Sequence, residues 1–268
     1  TPILRFRVDA EFPYVGKLVK DLTVAQLSML DCGTRRPDDP RVDPVVDTQI
    51  PVPGARIAQL DEVFALVHKV GAGGEHGVRL NVETKVEAGA PGEAAPREQF
   101  VQLTVDAVRQ AGLIENVSIQ SFDWDALKRV REIEPRLVIV ALVDPGLLQI
   151  GRPGASPWLG GIDIDDFGGD PVSAAASFDA DAISPVHSDP QTRSVLDGGY
   201  RPYTTVEMVD AAHAAGMRVI PRTVNDITTM RHLIDMHVDG IITDYPDRLR
   251  DLLRVRGADL PRSFAAPD

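Results

Sequence analysis

Glu83 and Lys85 stand two residues apart in the run Arg79-Leu-Asn-Val-Glu-Thr-Lys85, and this pair is where chemistry could be built. In a strand, alternate side chains point to opposite faces. Leu80, Val82 and Thr84 therefore share one face, and Asn81, Glu83 and Lys85 share the other. In a parallel barrel the apolar face packs under helices, and the polar face points inward with Glu83 and Lys85 near the C-terminal mouth, where such barrels keep their chemistry. A carboxylate and an ammonium side by side there can hold a divalent cation and an anionic oxygen together. The same pair also fits a surface ion pair on an edge strand.

Further candidates lie downstream. Gln120 and Phe122 share a strand parity, and Gln120 could reach the same interior or serve packing alone. His187 follows a short strand at its C-terminal side, where it could contact substrate. Asp163, Asp165 and Asp166 have the spacing of a loose cation site, but a solvated loop face reads better. Asp244 ends the last strand, where capping the next helix is its expected role. His68, His213, His232 and His237 fall on or beside helices and read as solvated or packed. His76 sits in the Gly-rich run before the central strand, at the wrong end for catalysis.

The elements that would position these residues alternate strand and helix. Strands are expected over 79–85, 116–122, 137–143, 181–185, 218–224 and 239–244. Helices are expected over 60–70, 97–111, 124–134, 205–215, 225–236 and 247–255, with Asn225 as an N-cap. Residues 137–143 (LVIVALV) are nearly all apolar, as in a strand buried on both faces. A Gly- and Pro-rich insertion over 145–171 reads as a rim loop or lid. Residues 1–56 are irregular, with an extended run over 3–8 and a short helix near 21–30 capped by Thr23. Such alternation implies right-handed βαβ units on a parallel sheet. About six units are visible, against the eight of a closed barrel.

Composition narrows the class. The chain has 268 residues, 43% of them hydrophobic, enough for one domain with a proper core. A net charge of -12 argues against a nucleic-acid binder and means that any anionic ligand is held by a local cation. No apolar run is long enough to cross a bilayer. The single cysteine, Cys32, excludes an internal disulfide and a Cys-based zinc site, and reads as a small buried thiol. The chain starts at Thr1, so a signal peptide lost upstream would fit a secreted or periplasmic protein; nothing sets an oligomeric state.

With these residues in order the chain resembles the glycerophosphodiester phosphodiesterase family. Leu22-Thr23 to Leu30-Asp31-Cys32-Gly33 is similar to its "dLT…L-d-x-G" stretch, and Pro53-Gly54 to Leu60-Asp61-Glu62-Val63 to its "PG…L-x-E-v". Asn81-Val-Glu-Thr-Lys85, Ser118-Ile-Gln-Ser-Phe-Asp123, Thr223-Val-Asn225 and Gly240-Ile-Ile-Thr-Asp-Tyr-Pro246 match four further motifs. The resemblance implies an α/β fold, a TIM (β/α)₈ barrel of the phospholipase-C-like phosphodiesterase type. It also implies metal-dependent hydrolysis of a glycerophosphodiester to an alcohol and glycerol 3-phosphate, with Ca²⁺ or Mg²⁺ held by three carboxylates and a histidine pair as acid and base. Only one carboxylate carries over, as Glu83, with the lysine as Lys85. The family's H-R-G, E-x-D and H-D motifs have no match in this chain. The expectation is therefore a single domain over 1–268 lacking its first two β/α units, inactive alone and active when completed upstream. Arg222 stands where the family has a tryptophan lining the pocket; it could bind phosphate bidentately or snorkel outward beside Pro221. The alternatives are a catalytically dead barrel binding phospholipid headgroups or a protein partner, and a sphingomyelinase D-like enzyme. The last would need Leu147, Leu148, Ile150, Trp158 and Leu159 to face a membrane.

Overall fold

A computed structural model describes residues 14, 16–33, 48, 50–74 and 77–264. The expected strand over 3–8 and His76 lie outside the described residues. Five strands, β1 (Leu80–Glu83), β2 (Val117–Ser121), β3 (Val138–Val143), β4 (Ala182–Pro185) and β5 (Arg218–Val219), form one parallel sheet in sequence order. Helices α1 (Val24–Leu27), α2 (Leu60–Lys69), α3 (Arg97–Ala111), α4 (Trp124–Ile133), α5 (Pro145–Leu148), α6 (Pro171–Ala176), α7 (Val206–Ala214), α8 (Ile227–Asp235) and α9 (Pro246–Val255) complete the order. The sheet is open, with β1 paired on one side only among the described residues.

Strand parity divides the sheet into two faces. Val82, Ile119, Ala141, Ile183 and Val219 face the helices and join one core with Val105, Leu127 and Ala212. Burying one such side chain contributes roughly 1.5–3 kcal/mol. Trp124 is fully buried at the start of α4, its indole N–H donating to the Leu142 carbonyl at 3.1 Å, so its one polar atom is satisfied. The opposite face carries the rung Glu83–Gln120–Val140–Ala182–Arg218, with Val186 paired to Arg222 further toward the C-terminal edge.

The helices follow their sequence signals closely. α3 buries Val101, Val105 and Val108 on one face and ends at Gly112, whose φ of 66° is the left-handed cap that favours glycine; Leu103 is exposed. His68 on α2 contacts the Ala111 carbonyl at 2.8 Å, tying α2 to α3. Asp123 caps α4: its carboxylate accepts from the Asp125 amide and from Arg97 of α3 at 2.5 Å.

Several expectations are corrected. The 239–244 segment is not a regular strand. Asp239 N–H bonds Val219 O, and Ile242 N–H bonds Pro221 O, so three steps on one side oppose two on the other. The extra residue and the missing Pro221 N–H spoil the ladder. The expected 21–30 helix shrinks to four residues behind a Thr23–Gln26 capping box. Cys32 is exposed, not buried, because its backbone is drawn to Ala55 O while Gly33 takes the inner position. A Cβ at Gly33 would lie 1.9 Å from Val52 O, so only glycine fits there. The 145–171 insertion is no loose flap: Leu148, Leu159 and Ile164 are almost fully buried in the main core, while Ile150 stays exposed. Asn116, before β2, is buried, its amide donating to the Gly74 and Val78 carbonyls.

Glu134, buried at the end of α4, lies between Arg136 (2.8 Å) and Arg109 (2.9 Å). Arg136 first and Arg109 second hold its carboxyl down at about 2. A depressed carboxyl stabilises the fold above its unfolded pKa, and that stability is lost as pH falls toward 2. Glu134→Gln is therefore expected to lower Tm at pH 7, with the deficit shrinking below pH 4.5 and vanishing near pH 2, as thermal unfolding across pH would read.

Candidate active site

The candidate site residues lie on the face opposite the helices, toward the C-terminal edge of the sheet. On β1 and β2, a chain of polar contacts runs from Ser118 Oγ to Asn81 Oδ1 (2.8 Å), from Asn81 Nδ2 to Gln120 Oε1 (2.6 Å), and from Gln120 Nε2 to Glu83 Oε2 (3.4 Å). The register forces this, because Asn81 pairs with Ser118 and Glu83 with Gln120. Lys85 Nζ contacts Glu83 Oε1 at 2.7 Å while remaining largely exposed. Its charge is thus available at the mouth, and Glu83 is held by an amide on one side and an ammonium on the other.

The second half of the site comes from β5 and its extension. Arg222 does not snorkel outward. It is buried, its guanidinium carbon lies 4.5 Å from the Phe122 ring centroid, and Nη2 donates to the Val143 carbonyl at 3.1 Å. Its Nε has no hydrogen-bond partner among the described residues. Burial pushes the Arg222 pKa down, opposed by Asp144 and Glu83. Asp144 ends β3, where its carboxylate accepts from the Gly146 amide at 2.9 Å. Tyr203 lies close enough to sense Asp144 and Arg222; burial first, then Asp144 and Asp170, push its phenol pKa up. Trp158 from the insertion meets Phe122 in a T-shaped contact, centroids 6.3 Å apart.

Thus Glu83, Lys85, Gln120, Phe122 and Arg222 are gathered at one edge, as the sequence predicts for a shared site. His187 sits elsewhere. Its strand parity is that of Ile183, and its buried ring stacks on Tyr200 at 6.3 Å. Burial pushes its pKa down, against the Gln191 backbone and Asp226. Asp244 does not cap α9, whose N-cap is Tyr245; instead it accepts from Asn225 Nδ2 at 2.8 Å. Asn225 likewise cedes the α8 cap to Asp226 and binds Thr243 and Asp244, joining the end of β5 to the 239–244 segment. Asp163 caps a 3₁₀ turn and Asp165 accepts from Gly151, so that acidic run holds its own loop together. His213 contacts Asp239 at 2.9 Å on the outer layer.

Sequence reasoning passed over Asp144 and Tyr203. Asp144 had a signal, since it follows the buried run of β3 directly; Tyr203 had none, because the loop after His187 brings it back, its N–H bonding the His187 carbonyl at 3.1 Å. No group of three or more His, Cys, Asp or Glu side chains able to hold a metal occurs among the described residues. A hard cation such as Ca²⁺ takes about six to eight oxygens, several of them carboxylate. Glu83 with an amide and an ammonium beside it does not fit that demand.

A parallel α/β sheet that brings an ammonium, a buried guanidinium and an aromatic ring to its C-terminal edge places cations where open α/β sheets take ligands. The profile of the Glycerophosphoryl diester phosphodiesterase family matches residues 6–248, and the chain belongs to that family of phosphoric diester hydrolases. It is similar to a glycerophosphodiester phosphodiesterase of Caldanaerobacter subterraneus, 25% identical over 239 residues, covering 89% of this chain and 74% of that one. Among solved structures, the Silicibacter pomeroyi homologue named for glycerophosphoryl diester phosphodiesterase activity gives a TM-score of 0.68 at 24% identity, covering 89% of this chain and 70% of that one. An Oleispira antarctica phosphodiesterase in complex with the product sn-glycerol-3-phosphate gives 0.50 at 18% identity, covering 74% and 62%. No helix of the described residues is long and apolar enough to cross a membrane.

Because the Glu83–Lys85 pair is open to solvent on the lysine side, it contributes little to stability. Lys85→Ala is expected to change unfolding free energy by less than about 1 kcal/mol in denaturant titration; a larger loss would mean that Lys85 is a structural residue.

Proposed function

We propose that this cleft binds the phosphate of a glycerophosphodiester, and that the reaction for which the fold is laid out is hydrolysis to an alcohol and glycerol 3-phosphate, a step of lipid metabolism. The observation that carries the reading is Arg222. A buried guanidinium with an unpartnered Nε faces the same cleft as the Glu83–Lys85 pair. Guanidinium and ammonium together match the non-bridging oxygens of a phosphate. The glycerol 3-phosphate held by the Oleispira phosphodiesterase has the same anionic chemistry. On this reading the five strands belong to a TIM barrel of the phospholipase-C-like type, and the 145–171 insertion is part of its rim.

In such a reaction water attacks phosphorus, the P–O bond to the alcohol breaks, and the leaving oxygen takes a proton. Lys85 and Arg222 would neutralise charge on the phosphate, Phe122 and Trp158 would exclude water from one side, and Gln120 would orient Glu83. The described residues offer a divalent cation such as Ca²⁺ or Mg²⁺ no ligand set, so charge neutralisation here falls to Lys85 and Arg222. His187 faces away and leaves the acid–base roles unfilled. The same shortage favours a second reading, a phospholipid-headgroup binder that does not turn over.

Both readings require phosphate to bind beside Lys85 and Arg222, and residues 1–268 test that step. Titration calorimetry with sn-glycerol 3-phosphate is expected to show binding that Lys85→Ala and Arg222→Gln each weaken about tenfold, the worth of one charge-assisted contact. Hydrolysis of glycerophosphocholine with Ca²⁺ or Mg²⁺ is expected to stay at background. Robust turnover would remove the binder reading, and turnover indifferent to Glu83→Ala would remove the role given to Glu83. Absence of any binding would overturn the proposed site.

A further inference from the structure

We infer that the headgroup side of this cleft takes an uncharged polyol or an anionic group and discriminates against a quaternary ammonium, because Arg222 already occupies the face of Phe122. This rests on the phosphodiester reading above and names the substrate class within it. Quaternary ammonium groups are recognised by open aromatic faces, whose negative quadrupole attracts the cation. Here the guanidinium carbon of Arg222 stands 4.5 Å from the Phe122 centroid, so that face is filled by a cation of the protein's own.

The neighbouring aromatics offer no free cage in its place. Trp158 is committed to the T-shaped contact with Phe122, and it lies so close to Gly89 that a Cβ there would sit 3.4 Å from the indole. Tyr203 lies beside Arg222 and Asp144. Asp144 accepts from the Gly146 amide, and Glu83 contacts Lys85 and Gln120. A trimethylammonium approaching Phe122 would therefore meet Arg222 at short range on the face the guanidinium covers. A hydroxyl or an anionic oxygen would instead meet a guanidinium with a donor to spare, since Arg222 Nε lacks a partner among the described residues.

Calorimetric titration of residues 1–268 with glycerophosphoglycerol, glycerophosphocholine and sn-glycerol 3-phosphate tests this. Glycerophosphoglycerol is expected to bind at least about tenfold tighter than glycerophosphocholine, and Arg222→Gln to bring the ratio close to one while circular dichroism shows a folded chain. Equal affinities, or tighter choline binding, in the wild-type chain would overturn the inference while binding of sn-glycerol 3-phosphate left the site itself standing. If none of the three binds, the site and the inference fall together. The wild-type ratio decides the matter whether or not the Arg222 variant folds, and a ratio that persists in a folded Arg222→Gln would also overturn it.

Discussion

The register of the parallel sheet is the constraint on which the rest depends. A one-residue slip would exchange the two faces of a strand. Val82, Ile119, Ala141, Ile183 and Val219 lock the register from the helix side, since each must stay in the core. Once they do, Glu83 and Gln120 are forced into one inward rung, and Val186 and Arg222 into another nearer the edge. The polar residues of the site need no interaction of their own to be brought together. Apolar burial several ångströms away does it.

Arg222 shows what such enforced placement costs. Removing a guanidinium from water costs several kcal/mol even after relaxation. Stacking over Phe122 returns about 2 kcal/mol when desolvated, and one bond to a carbonyl about 1.5–3 kcal/mol. With Asp144 and Glu83 in the vicinity these offset the penalty closely, and one donor stays unused. A group so balanced gains most from an arriving anion. The Glu83–Lys85 pair differs: its lysine end is wet, so its worth lies in offering charge and not in holding the fold.

Much of this was legible in the sequence, for definite reasons. Period-2 and period-3.6 patterns placed all five strands and most helices, because burial of one face dictates both the pattern and the element. Parity alone paired Glu83 with Lys85 and Gln120 with Phe122, while the β1–β2 register that sets Glu83 beside Gln120 came only with the structure. Arg222 was ambiguous, since sequence cannot say whether a long cation on a strand end turns inward or out. The misreadings have local physical causes. Asn225 preceded a better cap, Asp226, whose carboxylate reaches the amides of Thr228 and Thr229. Cys32 was taken for a core residue on composition, although its neighbour Gly33 alone could make the close approach to Val52. His187 was read from its position after a strand, but the parity of Ile183 turns its ring under the following loop.

The 145–171 insertion changes how rigid the site is. Long Gly- and Pro-rich segments beside a cleft are commonly movable, yet here Leu148, Leu159 and Ile164 anchor the segment in the core at three points. Ser156 adds a bond to the Leu147 carbonyl at 2.6 Å, and Lys128 of α4 reaches Gly160 O at 2.5 Å. Trp158 is held between these anchors, so its contact with Phe122 is fixed before any ligand arrives. Phe122 in turn sets the height of the Arg222 guanidinium. A segment that looks in sequence like a lid is therefore a wall, and the cleft it borders owes its shape to packing established with the rest of the core. Ligand binding to such a preorganised cleft loses little to ordering of the protein.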